Sequence, residues 1–310
     1  MQSGPRGGVP PHNMTAERSS SQDRRQIPFY VRRMQRHAFE GLVQMEYRKS
    51  QLQSFGGDVY LGARASEIWT ILGWNDIRQR YRRSVIGPFW ITLSSAVLIA
   101  GLGFVYSYIF KTNIETYLPY FALGFLLWGF ISTATNESCG AFLDSENIIK
   151  QVKIPFSVFV FRVVWRNFIV FLHTIVLFVP LSFIFGIVPS WISLLALPAI
   201  ALVVLNQVWL GIILATLSAR FRDVPQMVAA VTQVAIFATP IMWPVSALGT
   251  HTLIADVNPL HHLIDIVRGP LIGQPPELLS WLVVLGLNVV TMLLAIALLR
   301  LASKRLVYWL

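Results

Sequence analysis

Long runs without a charged side chain dominate the pattern of this chain. They cover residues 84–110, 116–136, 167–219, 224–255 and 278–299. A bilayer core of ~30 Å takes about 20 apolar residues of helix. The run 167–219 is long enough for two passes around Pro189 and Ser190. The pattern therefore predicts an all-α integral membrane protein with six transmembrane helices.

The segment before the first run predicts an amphipathic helix over residues 64–83. Ser66 is a candidate N-cap, and an apolar stripe precedes a basic rim. The stripe consists of Ala65, Ile68, Trp69, Leu72, Ile77 and Tyr81, and the rim of Arg78, Arg80, Arg82 and Arg83. Such a helix lies in the membrane interface, and the alternative is a solvated helix in the cytoplasm.

A proline-rich section, residues 240–277, separates the last two runs. Its prolines are Pro240, Pro244, Pro259, Pro270, Pro275 and Pro276. Non-helical backbone survives at membrane depth only where protein or a water-filled cavity covers it. We therefore expect residues 250–272 to form short re-entrant or external helices that cap a pathway.

Charge sets the expected orientation. The chain carries 25 Lys and Arg and a net charge of +10. All of these cations except Lys111 and Arg268 precede the first run or follow the second, fourth and sixth predicted spans. The positive-inside rule then places both termini in the cytoplasm. The basic loops favour anionic lipid headgroups, whereas no aromatic-interleaved basic platform suggests nucleic acid.

The remaining N-terminal residues predict an extension. Residues 1–28 are rich in Gly, Pro, Ser and Gln and should be disordered, without a cleavable signal. Residues 27–57 allow a short surface helix. The predicted division is an extension over residues 1–63 and a transmembrane domain over residues 64–310.

Catalytic motifs are missing from the sequence. It contains no G-x-x-x-x-G-K phosphate loop, no HExxH and no nucleophile elbow. Cys139 is the single cysteine, and the adjacent His261 and His262 do not share a helix face. We expect no catalytic residue and no metal site. The predicted spans offer only His173 for ion coupling, so the energy source should lie in another subunit.

The loop after the second run predicts a partner contact. Asp144 or Ser145 can cap a short helix with Ile148, Ile149 and Val152 on one side, and Pro155 ends it. Exposed apolar residues on such a helix suit a groove on a partner protein. The alternative is a loop helix that lies on lipid.

Five segments carry a family resemblance. They are RYRRSVIGPFW at 80–90, NIIKQVKIP at 147–155, RVVWRN at 162–167 with His173, RFRDVP at 220–225, and TPIMWP at 239–244 followed by NPLHHLIDIVR at 258–268. Over residues 64–305 the chain resembles the permease subunits of type-2 ABC exporters that move O-antigen, capsule or teichoic-acid polymers.

The resemblance implies a homodimer with six spans per copy in the bacterial inner membrane, joined to two copies of a separate ATPase. That ATPase would bind ATP and Mg, so this chain would hold no cofactor. The cargo would be a lipid-linked polysaccharide, and residues 64–81 would be a cytoplasmic gate helix. The implied ATPase contacts are Asp144, Asn147, Ile148, Ile149, Lys150, Lys153, Pro155, Arg220, Arg222 and Asp223. The implied external gate consists of Pro240, Pro244, Asn258, Pro259 and Arg268.

A sugar polymer suits a path lined by aromatic rings and small polar groups, because rings stack on the flat C–H faces of sugars. The candidates are Phe89, Trp90, Ser94, Tyr106, Tyr108, Trp128, Gln233, Phe237 and Trp243. The alternative for each ring is an interfacial belt or lipid-facing packing.

A basic cluster at the start of the third predicted span needs partners. Arg166 and His173 share a helix face, and Arg162 lies one turn earlier. Glu137 or Asp144 could pair with the arginines. The cluster either snorkels to lipid headgroups or transmits loop movement into the span.

Two other functions remain open. A type-2 exporter of a small lipophilic drug or lipid would share the same architecture. A membrane-embedded glycosyltransferase or acyltransferase would need a carboxylate or His cluster, and the loops offer only scattered acidic residues.

Overall fold

Helices account for the regular structure of the described residues, because an apolar chain in a bilayer must satisfy its backbone polar groups internally. The computed structural model describes residues 56–82, 87, 89–248 and 253–310, and these contain no strand. The predictions of disorder in residues 1–28 and of a helix within residues 27–57 lie outside this part, apart from residues 56 and 57. The domain boundary at residue 63 stays a prediction.

The α-helices follow one another with short connections. In chain order they are α1 Gly57–Arg64, α2 Ser66–Tyr81, α3 Phe89–Ile109, α4 Ile114–Cys139, α5 Glu146–Gln151, α6 Ser157–Ile175, α7 Phe178–Ile184, α8 Ala196–Arg220, α9 Val224–Ala238, α10 Leu253–Asp256, α11 Pro259–Leu271, α12 Leu278–Ala302 and α13 Leu306–Trp309. Two short 3₁₀ helices, Trp191–Leu195 and Val245–Leu248, precede α8 and α10.

Within the described ranges, five helical segments are long and apolar enough to cross a membrane. They are Phe89–Ile109, Ile114–Cys139, Ser157–Ile184, Trp191–Arg220 and Leu278–Ala302. The expectation of an all-helical membrane protein is confirmed, and the turn in residues 186–190 divides the long third run into two of these segments, as predicted.

The fourth charge-free run, residues 224–255, is not one helix. Its helix α9 has 15 residues and ends at Ala238, and the C-cap residue Thr239 is extended. A helix of this length spans about 22 Å, less than a bilayer core of ~30 Å. Pro240 is the cause, since it lacks an amide hydrogen and disfavours helical backbone at the preceding residue. Short helices α10 and α11 then occupy the section in which they were expected.

The second long helix, α4, lies at the centre of the bundle. It packs against α3, α6, α8, α9 and α11. Helix α8 approaches α4 and α6 closely at Gly211, where an added Cβ would come within 2.8 Å of the Ser138 hydroxyl on α4 and 2.7 Å of Val160 on α6. In contrast, α9 buries none of its side chains, and α3 buries only Ile99, Gly103 and Ser107.

The predicted N-cap of the N-terminal helix is wrong. Ser66 is the first residue of α2, and Ala65 takes the N-cap position without a side-chain hydrogen bond. Ala65 is the single residue between α1 and α2, and the chain changes direction there. The amphipathic stripe therefore belongs to the second of two short helices that both pack on α6.

Candidate functional site

Helix α2 is docked on the first half of α6. The Trp69 ring stacks on Phe161 at 5.8 Å between centroids and meets Trp165 edge-on at 5.6 Å. Gly73 lies against the Arg162 carbonyl, where an added Cβ would come within 3.1 Å. Ile77 is buried. One face of α2 thus contacts protein, whereas its placement in the membrane interface stays a prediction.

The other predicted residues of this helix divide by exposure. Ile68, Leu72 and Tyr81 are half-buried. Arg78, Arg80 and Arg82 are exposed, as expected for a basic rim.

The basic cluster of α6 is held by carboxylates. Asp76 on α2 accepts hydrogen bonds from Arg162 at 2.7 and 2.5 Å and from Arg166 at 2.8 Å. The sequence interpretation missed Asp76, although this residue lies on the same face of α2 as Trp69 and Gly73. The arginines point into this network and not towards headgroups.

Glu137, near the end of α4, joins three helices. Its carboxylate accepts from Arg166 at 2.6 Å, from Asn167 at 2.7 Å and from Arg80 at 2.9 Å. Glu137 was one of two predicted partners, and its pairing with Arg166 is confirmed. The other candidate, Asp144, is exposed and forms no ion pair with the described residues. His173 lies apart from the network and packs edge-on against Phe89.

The loop helix α5 presents polar residues and not apolar ones. Ile149 is buried in the core, and Ile148 packs against the same core while half-buried. The expectation that both isoleucines are exposed is wrong, because the apolar face of α5 covers its own bundle. The exposed side chains of this segment are Asp144, Asn147, Lys150, Gln151 and Lys153, whereas Pro155 is buried.

The turn between α8 and α9 lies at the same end as α5. Arg220, Arg222 and Asp223 are exposed there. The hydrogen bond from Lys150 and, more weakly, the charge of Arg222 lower the pKa of Glu146 on α5. The structure therefore brings the two predicted ATPase-contact segments together at one end of the bundle.

Helix α13 completes this end, and sequence reasoning did not include it. The Arg220 guanidinium lies over the Trp309 ring at 5.4 Å, and Arg222 donates to the Trp309 carbonyl at 3.3 Å. Leu306 is fully buried and anchors α13 to the bundle.

The opposite end is organised around a buried arginine. Arg268 on α11 is 2% exposed and lies over the Tyr120 ring at 3.7 Å from its centroid. It donates to the Pro240 carbonyl at 2.9 Å and to Asp265 at 3.3 Å. The Tyr120 hydroxyl donates to the same carbonyl at 3.1 Å. These groups hold the backbone where α9 ends.

Asn258 ties the start of α11 to the end of α9. It accepts from the Leu260 amide at 2.9 Å and donates to the Thr239 hydroxyl at 3.1 Å. Among the other predicted residues of this end, Pro244 is half-buried and Pro259 is exposed. Three of the five predicted residues, Pro240, Asn258 and Arg268, thus surround one backbone break.

The predicted pathway residues fall into three groups by exposure. Phe89, Trp90, Ser94, Tyr108, Gln233 and Phe237 are exposed on α3 or α9. Tyr106 and Trp243 are half-buried, and the Trp243 indole donates to the Phe237 carbonyl at 2.9 Å. Trp128 is 6% exposed within the core, which does not fit contact with a substrate.

A cavity of about 170 Å³ lies between α3, α4 and α6. Its lining is mixed, with Arg80, Ser95, Thr133 and Asn167 among apolar side chains. In the part of the chain that the structure describes, no group of His, Cys, Asp and Glu is arranged to hold a metal.

Comparison with known proteins agrees with this architecture. Residues 67–272 match the family described as ABC-2 type transporter. The chain is 26% identical over 193 residues to the O-antigen export system permease protein RfbA of Myxococcus xanthus, covering 61% of this chain and 74% of the relative. An RfbA protein of Klebsiella pneumoniae is 26% identical over 191 residues, with the same coverage.

The matched segment includes the docked helix α2, the central helix α4, the loop helix α5 and helix α11. It leaves out all of α1 and all of α12. The family match covers more than half of the chain, and the apolar helices supply several membrane crossings. This chain therefore belongs to the ABC-2 type transporter family, as a permease subunit that crosses the inner membrane several times.

Proposed function

We propose that this chain is the membrane subunit of an ATP-driven exporter of a lipid-linked polysaccharide. The observation that carries the proposal is the similarity to two O-antigen export permeases along 74% of their length. The cargo crosses between two copies of the chain, and both termini of each copy lie in the cytoplasm. Two copies of a separate ATPase supply the energy and bind ATP and Mg, so this chain needs no cofactor of its own.

The uncovered helices α3 and α9 support a pathway between two copies. They flank α4 and bury few side chains, yet their exposed faces carry the polar groups of Ser94 and Gln233 beside aromatic rings. The Ser94 hydroxyl donates to the Ile91 carbonyl of its own helix, whereas a polar side chain such as that of Gln233 is costly in contact with lipid, so the face of α9 needs a partner or water. A second copy of the chain supplies the cover, and the rings supply weak, repeated contacts for sugar units.

The sixth crossing combines α9 with the extended residues that follow it. Irregular backbone within a bilayer needs hydrogen-bond donors from the protein. Here the hydroxyls of Tyr117 and Tyr120 donate to the carbonyls of Met242 and Pro240, and Arg268 donates to Pro240 as well. Residues beyond α9 can therefore remain at membrane depth, with α10 and α11 as re-entrant helices that form the external gate.

The end with α5 is the proposed ATPase-binding surface. Its exposed cations are Lys150, Lys153, Arg220 and Arg222. Because the apolar side of α5 faces the bundle, the contact with the ATPase is polar. The partner surface should be acidic, since opposite charges steer association and fix the register of an interface.

Deletion of the gene tests the cargo. The expected result is loss of surface polysaccharide with unchanged sensitivity to lipophilic drugs. An unchanged surface polymer together with increased drug sensitivity would favour export of a small lipophilic compound and refute the proposal.

Charge reversal at Lys150 and Lys153 tests the ATPase-binding surface. The double variant should insert and fold normally but export polymer at about one tenth of the wild-type rate, as expected for lost interfacial charge pairs. Lys111→Glu is the matched control, because Lys111 is exposed at the opposite end. Normal export by the double variant would contradict this assignment.

A further inference from the structure

Helix α1 supplies the cap for the N-terminus of α6, although it lies in a distant part of the chain. The Asp58 carboxylate accepts hydrogen bonds from the backbone amides of Phe156 and Ser157, each at 3.0 Å. The Ser157 hydroxyl donates to the Asp58 carbonyl at 2.9 Å. The first amides of a helix lack partners within the helix, and the helix dipole favours a negative charge there. Asp58, which lies 99 positions before Ser157 in the chain, thus provides hydrogen-bond acceptors for the backbone amides at the N-terminus of α6.

One turn along α1, Gly62 permits the close approach of the two helices. Asp58 and Gly62 are four residues apart and therefore share a face. A Cβ at Gly62 would collide with the Ser157 hydroxyl and lie 3.1 Å from its Cβ. Ser157 is fully buried at this contact. The carboxylate and the missing side chain together form a docking face against the start of α6.

The contact continues from α1 into α2 along the same part of α6. Ser157 meets Asp58, Phe161 stacks with Trp69, and Arg162 pairs with Asp76. Ser157 also directly follows the segment that joins α5 to α6. The Asp58 contact therefore lies between α5 and the rest of α6 along the chain.

We propose that Asp58 is a positioning residue whose carboxylate locks α1 and α2 to the start of α6, so that the gate helix moves with the ATPase-contacting loop as one unit. The inference rests on the proposed function for the identity of the gate and of the ATPase contact. The locking itself depends only on the contacts of α1.

Burial raises the pKa of the Asp58 carboxyl, and the hydrogen bonds from Ser157 and Phe156 oppose this effect. The charged form is therefore held at a cost in desolvation. Asp58→Asn keeps one acceptor oxygen and removes that cost, but its NH2 group would face the second backbone amide, so it should lock α1 less well than the natural residue. Asp58→Ala removes both acceptors and should not lock α1.

Spin-label distances test the lock directly. The labels replace Ala63 on α1 and Leu172 on α6, both exposed, in a Cys139→Ala background. The distance distribution should be narrow in the otherwise native protein, broader in Asp58→Asn and broadest in Asp58→Ala. With the ATPase and ATP added, the native distance should not change. A narrow distribution in Asp58→Ala, or a native distance that shifts with ATP, would overturn the proposal.

Polymer exported per ATP hydrolysed tests the consequence. Asp58→Ala should lower this ratio about tenfold, from the loss of a helix cap, and Asp58→Asn should lower it less, because one acceptor oxygen remains. Equal ratios in all three proteins would overturn the role in coupling. If the native protein exports no polymer, the proposed function fails, while the spin-label distances still decide the lock.

Two substitutions with opposite steric effects provide a second test of the docking of α1. Gly62→Ala should also lower the ratio, and adding Ser157→Gly should restore most of it by removing the atoms with which the new Cβ collides. Gly286→Ala is the matched control, since a Cβ at Gly286 meets nothing within 4 Å. Full activity of Gly62→Ala would contradict the docking of α1.

Discussion

Asp76→Ala should release α2, the proposed gate helix, from α6. The substitution removes the carboxylate that accepts three hydrogen bonds from Arg162 and Arg166. The side chain of Asp76 is 13% exposed, and those of Arg162 and Arg166 are 22% and 15% exposed. Two guanidinium groups with little access to water thus lose their shared partner.

The size of the effect follows from this burial. Removing one partner of a fully buried ion pair costs about 3–5 kcal/mol, because the other charge stays buried without compensation. Here Arg166 keeps its bond to Glu137, and partial access to water reduces the penalty for Arg162. We therefore expect about 3 kcal/mol at most, which corresponds to about a hundredfold change in the docking equilibrium.

The labelling rate of a cysteine at Ile77 measures this equilibrium. Ile77 is 7% exposed against α6, so Ile77→Cys should be protected from a water-soluble maleimide in a Cys139→Ala background. Adding Asp76→Ala should raise the labelling rate by up to about a hundredfold. Glu67→Ala, which removes an exposed carboxylate from the same helix, should change the rate less than twofold.

Native Cys139 separates undocking from unfolding. It is 1% exposed in the core, so it should stay unlabelled in Asp76→Ala if only α2 is released. Unchanged labelling at Ile77→Cys would refute the reasoning that the ion pairs hold α2. Labelling of Cys139 at the same rate would show that Asp76 supports the whole fold and not the docking of one helix.

Further substitutions test other contacts. Arg268→Lys should lower the free energy of unfolding by about 2 kcal/mol in a thermal melt, because lysine loses the planar stacking on Tyr120. Trp128→Ala should cost about 3–5 kcal/mol of stability, whereas the exposed Trp90→Ala should leave the melting temperature unchanged and slow polymer export. Gly211→Ala should cost about 1–3 kcal/mol by separating α4 from α8, and measurable recovery of the melting temperature in Gly211→Ala/Ser138→Ala would confirm the contact.

The membrane helices could be predicted from the sequence because their signal is local. The runs 116–136 and 278–299 correspond closely to Ile114–Cys139 and Leu278–Ala302. Length and absence of charge suffice there, since the bilayer sets both. The same signal could not locate the end of α9, because charge-free composition continues past Pro240 while the backbone leaves the helix.

The contacts of the candidate functional segments were harder to predict, because they join residues that are distant in sequence. Asp58 and Asp76 each bind backbone or side-chain groups of α6 more than 80 positions away. An amphipathic pattern shows that one face of a helix is covered, but it does not identify the protein segment or lipid that covers it. For α5 that pattern was assigned to a partner protein, yet Ile149 packs on its own bundle.

Arg268 illustrates how burial changes a topological argument. In the sequence, Arg268 is one of two cations on the predicted outer side of the membrane, whereas the other Lys and Arg residues lie on the predicted cytoplasmic side. In the structure its charge is enclosed by the Tyr120 ring, the Pro240 carbonyl and Asp265. The positive-inside rule concerns cations of short, water-exposed loops, and an enclosed arginine is not one of them. Among the described residues, Lys111 is then the remaining cation on that side, which strengthens the proposed cytoplasmic position of α5 and α13.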